Sequence, residues 1–518
     1  MSLLKSAGTV GGYTLLSRLL GFFRDQLIAF TFGTGPVAEA FVVAQRLPNL
    51  FRALFAEGAF NNAFVPHFAR MHEGKGQAAA FAFSRDMFSV MATWMLLFTG
   101  AAMALMPWIM PIIAPGFTDD PETLSLATEL TRICFPYLGF MSLTALFGGV
   151  LNSLGRFTAP AAAPILLNIV MILFNLFGWW MGYGNSAESG RLQAWAVTVA
   201  GVAQLALVMF AAYRAKAPIS MGLPKLTADV KSVIWKSIPG IISGGITQIN
   251  LAIATALATG FAGGAAFLYY ADRLFQLPLG VIGVAIGVVL LPTLSRKLRA
   301  GDTEGAMQSQ NRALEFSLFL TLPAAAALIV IGRPILHTVF EHGAFTRAAT
   351  LNTAPALAAF AAGLPAFTVT KIFQPGFFAR EDTRTPMIFA ITAVAVNVAM
   401  SFLLTRYYQH VGIAAATSIA AWVNTMLLVG TSLSRGHYKP DARFKSRFPR
   451  MLLATAVMAA VLWGLLRLLE KNYAEGAGFT ASLWGLAVLM SAGIATYAVA
   501  SQLTGAFRIS DLKSAIRR

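Results

Sequence analysis

The sequence is poor in cysteine and in charge. Its 518 residues hold one cysteine, Cys134, inside an apolar run, which excludes an internal disulfide and any cysteine-based metal site. Charged residues make up 12% of the chain, about half the share of a typical soluble domain, and no long polar stretch remains from which to build one. The six histidines (His67, His72, His337, His342, His410 and His437) sit mostly in loops without metal-ligand spacing. There is no Gly-x-x-x-x-Gly-Lys-Ser/Thr phosphate loop, hence no built-in ATPase, and no buried nucleophile–base pair. No catalytic residue, metal or cofactor is therefore expected, and the chain reads as a non-enzyme. Its start, Met1-Ser2-Leu3-Leu4-Lys5, lacks a small-residue cleavage site and reads as the beginning of a retained helix.

What is present is apolar. Hydrophobic residues make up 57% of the chain and the mean hydropathy is +0.66. A membrane helix needs roughly 20 largely apolar residues. Windows of that kind fall at 10–32, 38–56, 87–110, 124–151, 164–181, 192–213, 238–261, 265–294, 316–331, 351–373, 387–404, 411–433, 451–466 and 483–503. The fold class is an all-α polytopic membrane protein with about 14 transmembrane helices. An even count puts both termini on one side. Arg70, Lys75, Arg156, Arg214, Lys216, Arg296, Lys297, Arg299, Arg435, Lys439 and Arg450 share alternate loops, with Lys513, Arg517 and Arg518 in the tail on the same side. The opposite loops include the acidic Asp119-Asp120-Pro121-Glu122. Basic loops stay in the cytoplasm, so both termini are expected there. This dispersal also accounts for the net charge of +17 without nucleic acid as a partner.

The chain repeats itself. Ala44-x-Arg46-Leu47 returns as Ala271-x-Arg273-Leu274, Pro66-x-x-x-Arg70 as Pro292-x-x-x-Arg296, and Gly116-Phe117-Thr118 as Ala344-Phe345-Thr346. The shared order and offset predict two pseudo-symmetric six-helix lobes, related by an axis along the membrane normal with the substrate site between them. The expected domains are residues 1–216, residues 217–436, and two extra helices with a basic tail over 437–518.

The residues that are costly in lipid cluster. Arg18, Arg24, Asp25, Glu39, Arg46, Arg52 and Glu57 lie in or at the ends of the first two spans, and Asp272 and Arg273 lie in the eighth. A charge at mid-membrane costs roughly 2.5–3.5 kcal/mol on insertion scales and usually faces a cavity or a partner. Arg46, Arg52, Glu57 and Lys371 have a competing reading as interfacial side chains that snorkel to the headgroups. Pairing of Arg24 with Asp25 or Glu39, and of Asp272 with Arg273, is also open. Arginines outnumber acids, however, and an unmatched excess of planar guanidinium forks suits a phosphate-bearing anion. Arg18 and Arg24, six residues apart, lie about 120° off a common helix face unless Gly21 bends the helix. Glu39 and Arg46, seven apart, share one.

Several blocks resemble the MurJ/MviN family of lipid II flippases: Ser17-Arg18-Leu19-Leu20-Gly21-Phe22-Phe23-Arg24-Asp25, Leu47-Pro48-Asn49-Leu50-Phe51-Arg52, Phe55-Ala56-Glu57-Gly58-Ala59-Phe60 and Phe64-Val65-Pro66. Tyr269-Tyr270-Ala271-Asp272-Arg273-Leu274, Leu290-Leu291-Pro292, Pro375-Gly376-Phe377 and Thr385-Pro386 continue the likeness in order along the whole chain. The resemblance implies the multidrug/oligosaccharidyl-lipid/polysaccharide exporter fold and an inner-membrane protein that moves lipid II between leaflets. It implies Arg18, Arg24, Arg52 and Arg273 as substrate-binding arginines, with Asp25, Glu39, Arg46, Glu57 and Asp272 in gating or charge pairing. It further implies lipid II and membrane lipids as partners, a functional monomer, contacts with the cell-wall synthesis machinery, and membrane potential or an ion gradient as driving force. Position 39 is Glu where Asp is expected in relatives, and the seventh, eleventh and twelfth spans carry no core carboxylate, which argues against a carboxylate sodium site. The alternatives are a flippase for another polyprenyl-pyrophosphate glycan and a cation-coupled small-molecule exporter of the same superfamily, whose site should be net acidic.

Overall fold

The computed structural model describes residues 3–55, 59–217, 219–474 and 476–506, and their side chains except at 3–9, 53–55, 59, 242–243, 246–247 and 281–289. Glu57 and the tail lysine and arginines lie outside the described residues. The helices are α1 (Leu3–Phe32), α2 (Pro36–Phe55), α3 (Ala59–Gly74), α4 (Gln77–Ile113), α5 (Pro121–Cys134), α6 (Tyr137–Ser153), α7 (Thr158–Trp180) and α8 (Ala187–Arg214). They continue as α9 (Ala228–Thr259), α10 (Gly264–Arg299), α11 (Thr303–Phe340), α12 (Arg347–Phe378), α13 (Arg384–Ser434), α14 (Ala442–Leu468) and α15 (Phe479–Thr504). Lipid offers no hydrogen bonds to backbone, so a spanning chain must satisfy its own, and helices do so within one segment.

Each expected span falls on a helix, and nine helical segments among the described residues are long and apolar enough to cross a membrane. Those of α1, α2, α9 and α10 are not in that set; α2 alone carries Glu39, Arg46 and Arg52. The fourth span is two helices, α5 and α6, broken at Phe135–Pro136. The eleventh and twelfth fall in one helical run, α13, which is kinked into two helices at Gln409, where φ is 50° and ψ −135°. Where helices begin in polar loops, short side chains cap them: Asp120, Ser186, Thr227, Asp302, Thr346 and Asp441 each accept a hydrogen bond from a backbone N–H three residues on.

The chain forms two compact units: Met1–Ala266 with Gly343–Phe345, and Phe267–His342 with Thr346–Arg518. In the first, α3 is an amphipathic helix that the window count passes over. Phe60, Phe64, Phe68 and Met71 are buried along one stripe of it, at the spacing of a helix face. Phe64 stacks on Phe60, Phe68 and Phe83, with centroids 5.2, 6.0 and 5.6 Å apart. This core ties α3 to α4, α6 and α9, so the seventh span packs within the first unit.

In the second unit α11, α12 and α13 pack together, and α14 and α15 lie against α11. The Tyr497 hydroxyl donates to the Phe319 carbonyl at 2.8 Å. One turn earlier on α11, buried Glu315 accepts from Arg312 at 2.5 Å, with Arg443 Nε at 3.1 Å and Arg447 Nη1 at 3.7 Å, and Arg312 also pairs with Asp441. A third anchor joins the α12–α13 loop to the end of α13: Asp382 accepts from the Thr385 N–H at 3.0 Å and from Arg435 at 2.8 Å. The Thr385 backbone and hydroxyl, then Arg435, hold the Asp382 carboxyl below the usual carboxylate range. A depressed value means that this contact is complete at neutral pH and is lost only as pH falls through the lowered value.

Glu315 joins α11 to α14 through charge-assisted bonds, each worth about 1.5–3 kcal/mol when buried. Glu315→Ala is expected to lower the thermal unfolding temperature of the purified protein and to open α14 to proteolysis first, whereas an unchanged melting curve would remove this cluster from the account of stability.

Candidate functional site

The charged residues of α1 are set by its contact with α7. Arg24 is 8% exposed and Asp25 2%. The Arg24 guanidinium donates to Asp25 Oδ1 through Nε (3.1 Å) and Nη2 (2.7 Å), and through Nη1 to Asn168 Oδ1 on α7 (3.0 Å). Asn168 Nδ2 in turn donates to the Ser17 carbonyl at 2.8 Å. Seven residues further along both helices, Thr31 donates to Asn175 Oδ1 at 3.0 Å. Equal steps of seven on two adjacent helices keep both rungs on one seam. Gly21 faces Asn168, and a Cβ there would sit 3.5 Å from its side chain. That distance is ordinary van der Waals contact, and α1 is helical through this position. Arg18 is exposed and, six residues from Arg24, lies about 120° round the helix from it.

Glu39 and Arg46 do share a face, and it points to α9 and the α9–α10 turn. Glu39 is 7% exposed, and its Oε1 accepts the Ala265 N–H at 3.2 Å. Ala265 is in the first turn of α10, where N–H groups lack intrahelical partners and a carboxylate is favoured by the helix dipole. Arg46 Nη1 donates to Thr255 Oγ1 at 2.6 Å, and that hydroxyl donates to the Leu251 carbonyl. Arg46 is thus held by α9. Arg52 is half-buried, its Nε 3.2 Å from Asn49 Oδ1 on the same helix. In the second unit Asp272 accepts from Gln276 one turn on, and the Arg273 guanidinium lies 4.6 Å from the centroid of the Tyr269 ring, a cation–π contact.

One end of the first unit is tied shut by two contacts at equivalent positions of the sequence repeat. The short 3-10 turn Pro115–Asp119 meets the end of α9: Gly116 N donates to Thr259 Oγ1 at 3.3 Å, and a Cβ on Gly116 would fall 2.1 Å from the Thr259 carbonyl oxygen. The segment Gly343–Phe345 meets the end of α1: Ala344 N donates to the Phe30 carbonyl at 2.8 Å. Gly33, with φ +59°, would place a Cβ 2.2 Å from the Ala344 oxygen. Phe117 and Phe345 are both buried beside these contacts. Backbone approaches this close require glycine.

Sequence reading missed Asn168, Asn175 and Thr255. The available signal was weak: two asparagines seven apart in an otherwise apolar run.

The arrangement is that of an all-helical polytopic membrane protein. The fold aligns with a solved "Lipid II flippase MurJ, inward closed conformation" at a TM-score of 0.79 and 24% identity, over 95% of this chain and 98% of that one. It also aligns with an inward-facing multidrug resistance MATE family transporter of the MOP superfamily at a TM-score of 0.68 and 14% identity, over 81% and 94% of the two chains. The family model for lipid II flippase MurJ matches residues 28–483. A probable lipid II flippase MurJ of Rhizobium meliloti (strain 1021) is 46% identical over 519 aligned residues, covering 100% of this chain and 97% of the relative. A lipid II flippase MurJ of Burkholderia cenocepacia is 34% identical over 89% of this chain and 90% of its own length. The chain belongs to the MurJ family, as the sequence blocks implied, and is an integral membrane protein. Arg18, Arg24 and Asp25 precede the residues matched by the family model and fall within the full-length alignment.

Asn168→Leu removes the α7 acceptor of a buried guanidinium, a loss of about 1–3 kcal/mol. The variant is expected to melt earlier than wild type and to lose cell-wall function, while Asn168→Gln retains part of both; wild-type behaviour of Asn168→Leu would show that the seam does not fix Arg24. Gly33→Ala is expected to break the Ala344 contact and to raise labelling of a cysteine placed at Thr34 by a membrane-impermeant thiol reagent, and unchanged labelling would count against a closed end.

Proposed function

We propose that this chain flips lipid II, the undecaprenyl-pyrophosphate-linked peptidoglycan precursor, from the cytoplasmic to the periplasmic leaflet of the bacterial inner membrane by alternating access. The observation that carries this reading is the full-length relation to proteins named lipid II flippases, joined to arginines inside spans where a cation exporter would need carboxylates. It is a transporter and not an enzyme. Arg18, Arg24, Arg52 and Arg273 bind the pyrophosphate, for which a guanidinium's paired donors are matched. Asp25 holds Arg24 in place. Glu39, through the α10 N-terminus, and Arg46, through Thr255, are gating contacts that must exchange when the unit opens, and Glu57 and Asp272 serve in charge pairing. The repeat-related contacts at Gly33 and Gly116 keep one end closed until they part. Sequence repeats place the lobes at 1–216 and 217–436, and the basic loops put both termini in the cytoplasm. The protein works as a monomer and passes its product to the cell-wall synthesis machinery.

Moving an anion out of a negative interior is downhill by about 2.3 kcal/mol per elementary charge per 100 mV. Membrane potential is therefore a sufficient drive for a doubly charged pyrophosphate, whose crossing gains several kcal/mol.

The test is outer-leaflet exposure of lipid II in cells depleted of their own flippase. Wild type is expected to restore exposure, and Arg24→Ala and Arg273→Ala, expressed and inserted equally, are expected to fail. Failure of a well-inserted wild type would move the substrate to another polyprenyl-pyrophosphate glycan. Collapsing the potential is expected to slow exposure; an unchanged rate would discard the electrical drive.

A further inference from the structure

The second unit carries a phosphate-shaped site that the transport reading does not use. At the end of this unit where α11 and α14 finish and α12 begins, the three helices surround a cavity of about 350 Å³, within the size range of small-ligand pockets. Arg333, Arg347 and Arg467 line it against one carboxylate, Glu470, with Trp463 and Tyr473 completing the wall. Each arginine comes from a different helix. Arg347 Nη1 donates to the Tyr473 carbonyl at 2.9 Å, which orients its guanidinium without neutralising it. Arg467 lies 5.2 Å from the Trp463 ring centroid. None of the three makes an ion pair among the described residues, although Glu470 is three residues from Arg467.

Charge placement makes this cluster unusual. A cavity of the first unit between the α6–α7 turn and α8 is lined by Arg156 and Arg214, and both belong to loops where basic residues retain topology. The α11–α12–α14 cavity stands at the opposite end of its unit from the basic Arg312, Arg443 and Arg447, so topology gives no reason for its charge. Trp463 is 58% exposed and Leu468 78%. The cavity therefore has a strongly basic interior beside an apolar, outward wall, the combination that holds an acidic headgroup while its chains stay in lipid.

We infer that Arg333, Arg347 and Arg467 form a binding site for the phosphate of an anionic lipid headgroup, at the end of the second unit remote from the cytoplasmic loops. The guanidiniums meet phosphate oxygens by paired donation, Trp463 and Leu468 lie along the acyl chains, and Glu470 sets the limit on total negative charge. The proposed orientation enters only in assigning the site to the outer leaflet; binding itself does not depend on lipid II transport.

Native mass spectrometry of the full-length protein, exchanged into mixed micelles of phosphatidylglycerol and phosphatidylcholine, reads the site directly. Wild type is expected to retain phosphatidylglycerol several-fold over phosphatidylcholine. Arg333→Gln with Arg467→Gln is expected to abolish the preference, Arg467→Lys to keep part of it, and Arg406→Gln, which removes an exposed charge from the same end outside the cavity, to leave it intact. Should the double variant fold poorly, each single variant is expected to lose a share of the preference at wild-type melting temperature. Inorganic phosphate that protects wild type against heat as well as phosphatidylglycerol does, with both effects lost in the double variant, would keep the phosphate site and assign its occupant to the free anion. Equal phosphatidylglycerol preference in wild type and a folded double variant would overturn the inference, as would loss of the preference in Arg406→Gln alone.

Discussion

A guanidinium inside a bilayer must be met by polar partners, and the α1–α7 seam is organised around that demand. Arg24 is held by Asp25 and Asn168, Asn168 donates to the Ser17 backbone, and Gly21 packs against the Asn168 side chain. The neutral asparagine matters as much as the acid. A second carboxylate in its place would bring the cluster to a net negative charge and turn it from an anion site towards a cation site. Asp25 balances one charge and Asn168 adds acceptors without adding charge, so the remaining arginines of α1 and α2 keep their positive field. Low dielectric amplifies that field, which suits a site for a pyrophosphate.

The charged residues of α2 follow the same economy. Glu39 accepts a backbone N–H at a helix start, and Arg46 donates to a threonine hydroxyl. Such bonds are weaker than buried ion pairs, whose breakage typically costs 3–5 kcal/mol. This end of the first unit is therefore held by several modest contacts, as the proposed gating requires. The glycine approaches at Gly33 and Gly116 add close packing against the backbones of Ala344 and Thr259.

Much of the fold was legible in the sequence because the bilayer imposes a length on each apolar run. The two spans with most charge, α1 and α2, were legible from their apolar windows, which the charges weaken. Helix α3 escaped because its charged and amide residues dilute the apolar average; its signature was the spacing of Phe60, Phe64, Phe68 and Met71. The break at Pro136 leaves hydropathy unchanged and so divides one expected span into α5 and α6. At the site, the geometry of Arg18 and Arg24 and the shared face of Glu39 and Arg46 followed from residue counts. Their partners Asn168 and Thr255 did not, because an uncharged polar residue in an apolar run has many possible roles until its neighbours are known. The α11–α12–α14 cavity was illegible for a related reason: its three arginines are separated by up to 134 positions in sequence and meet only in the fold.

Transfer of lipid II across the bilayer by the purified protein is the most direct test of the account. Proteoliposomes carrying labelled lipid II and an imposed inside-negative potential would be exposed to an external enzyme that cannot cross the membrane and that consumes the precursor's headgroup. The account predicts that inner-leaflet lipid II becomes accessible faster than in protein-free vesicles and that Arg24→Ala, reconstituted at equal density, abolishes the gain. Accessibility equal to that of protein-free vesicles, from folded wild-type protein, would contradict it.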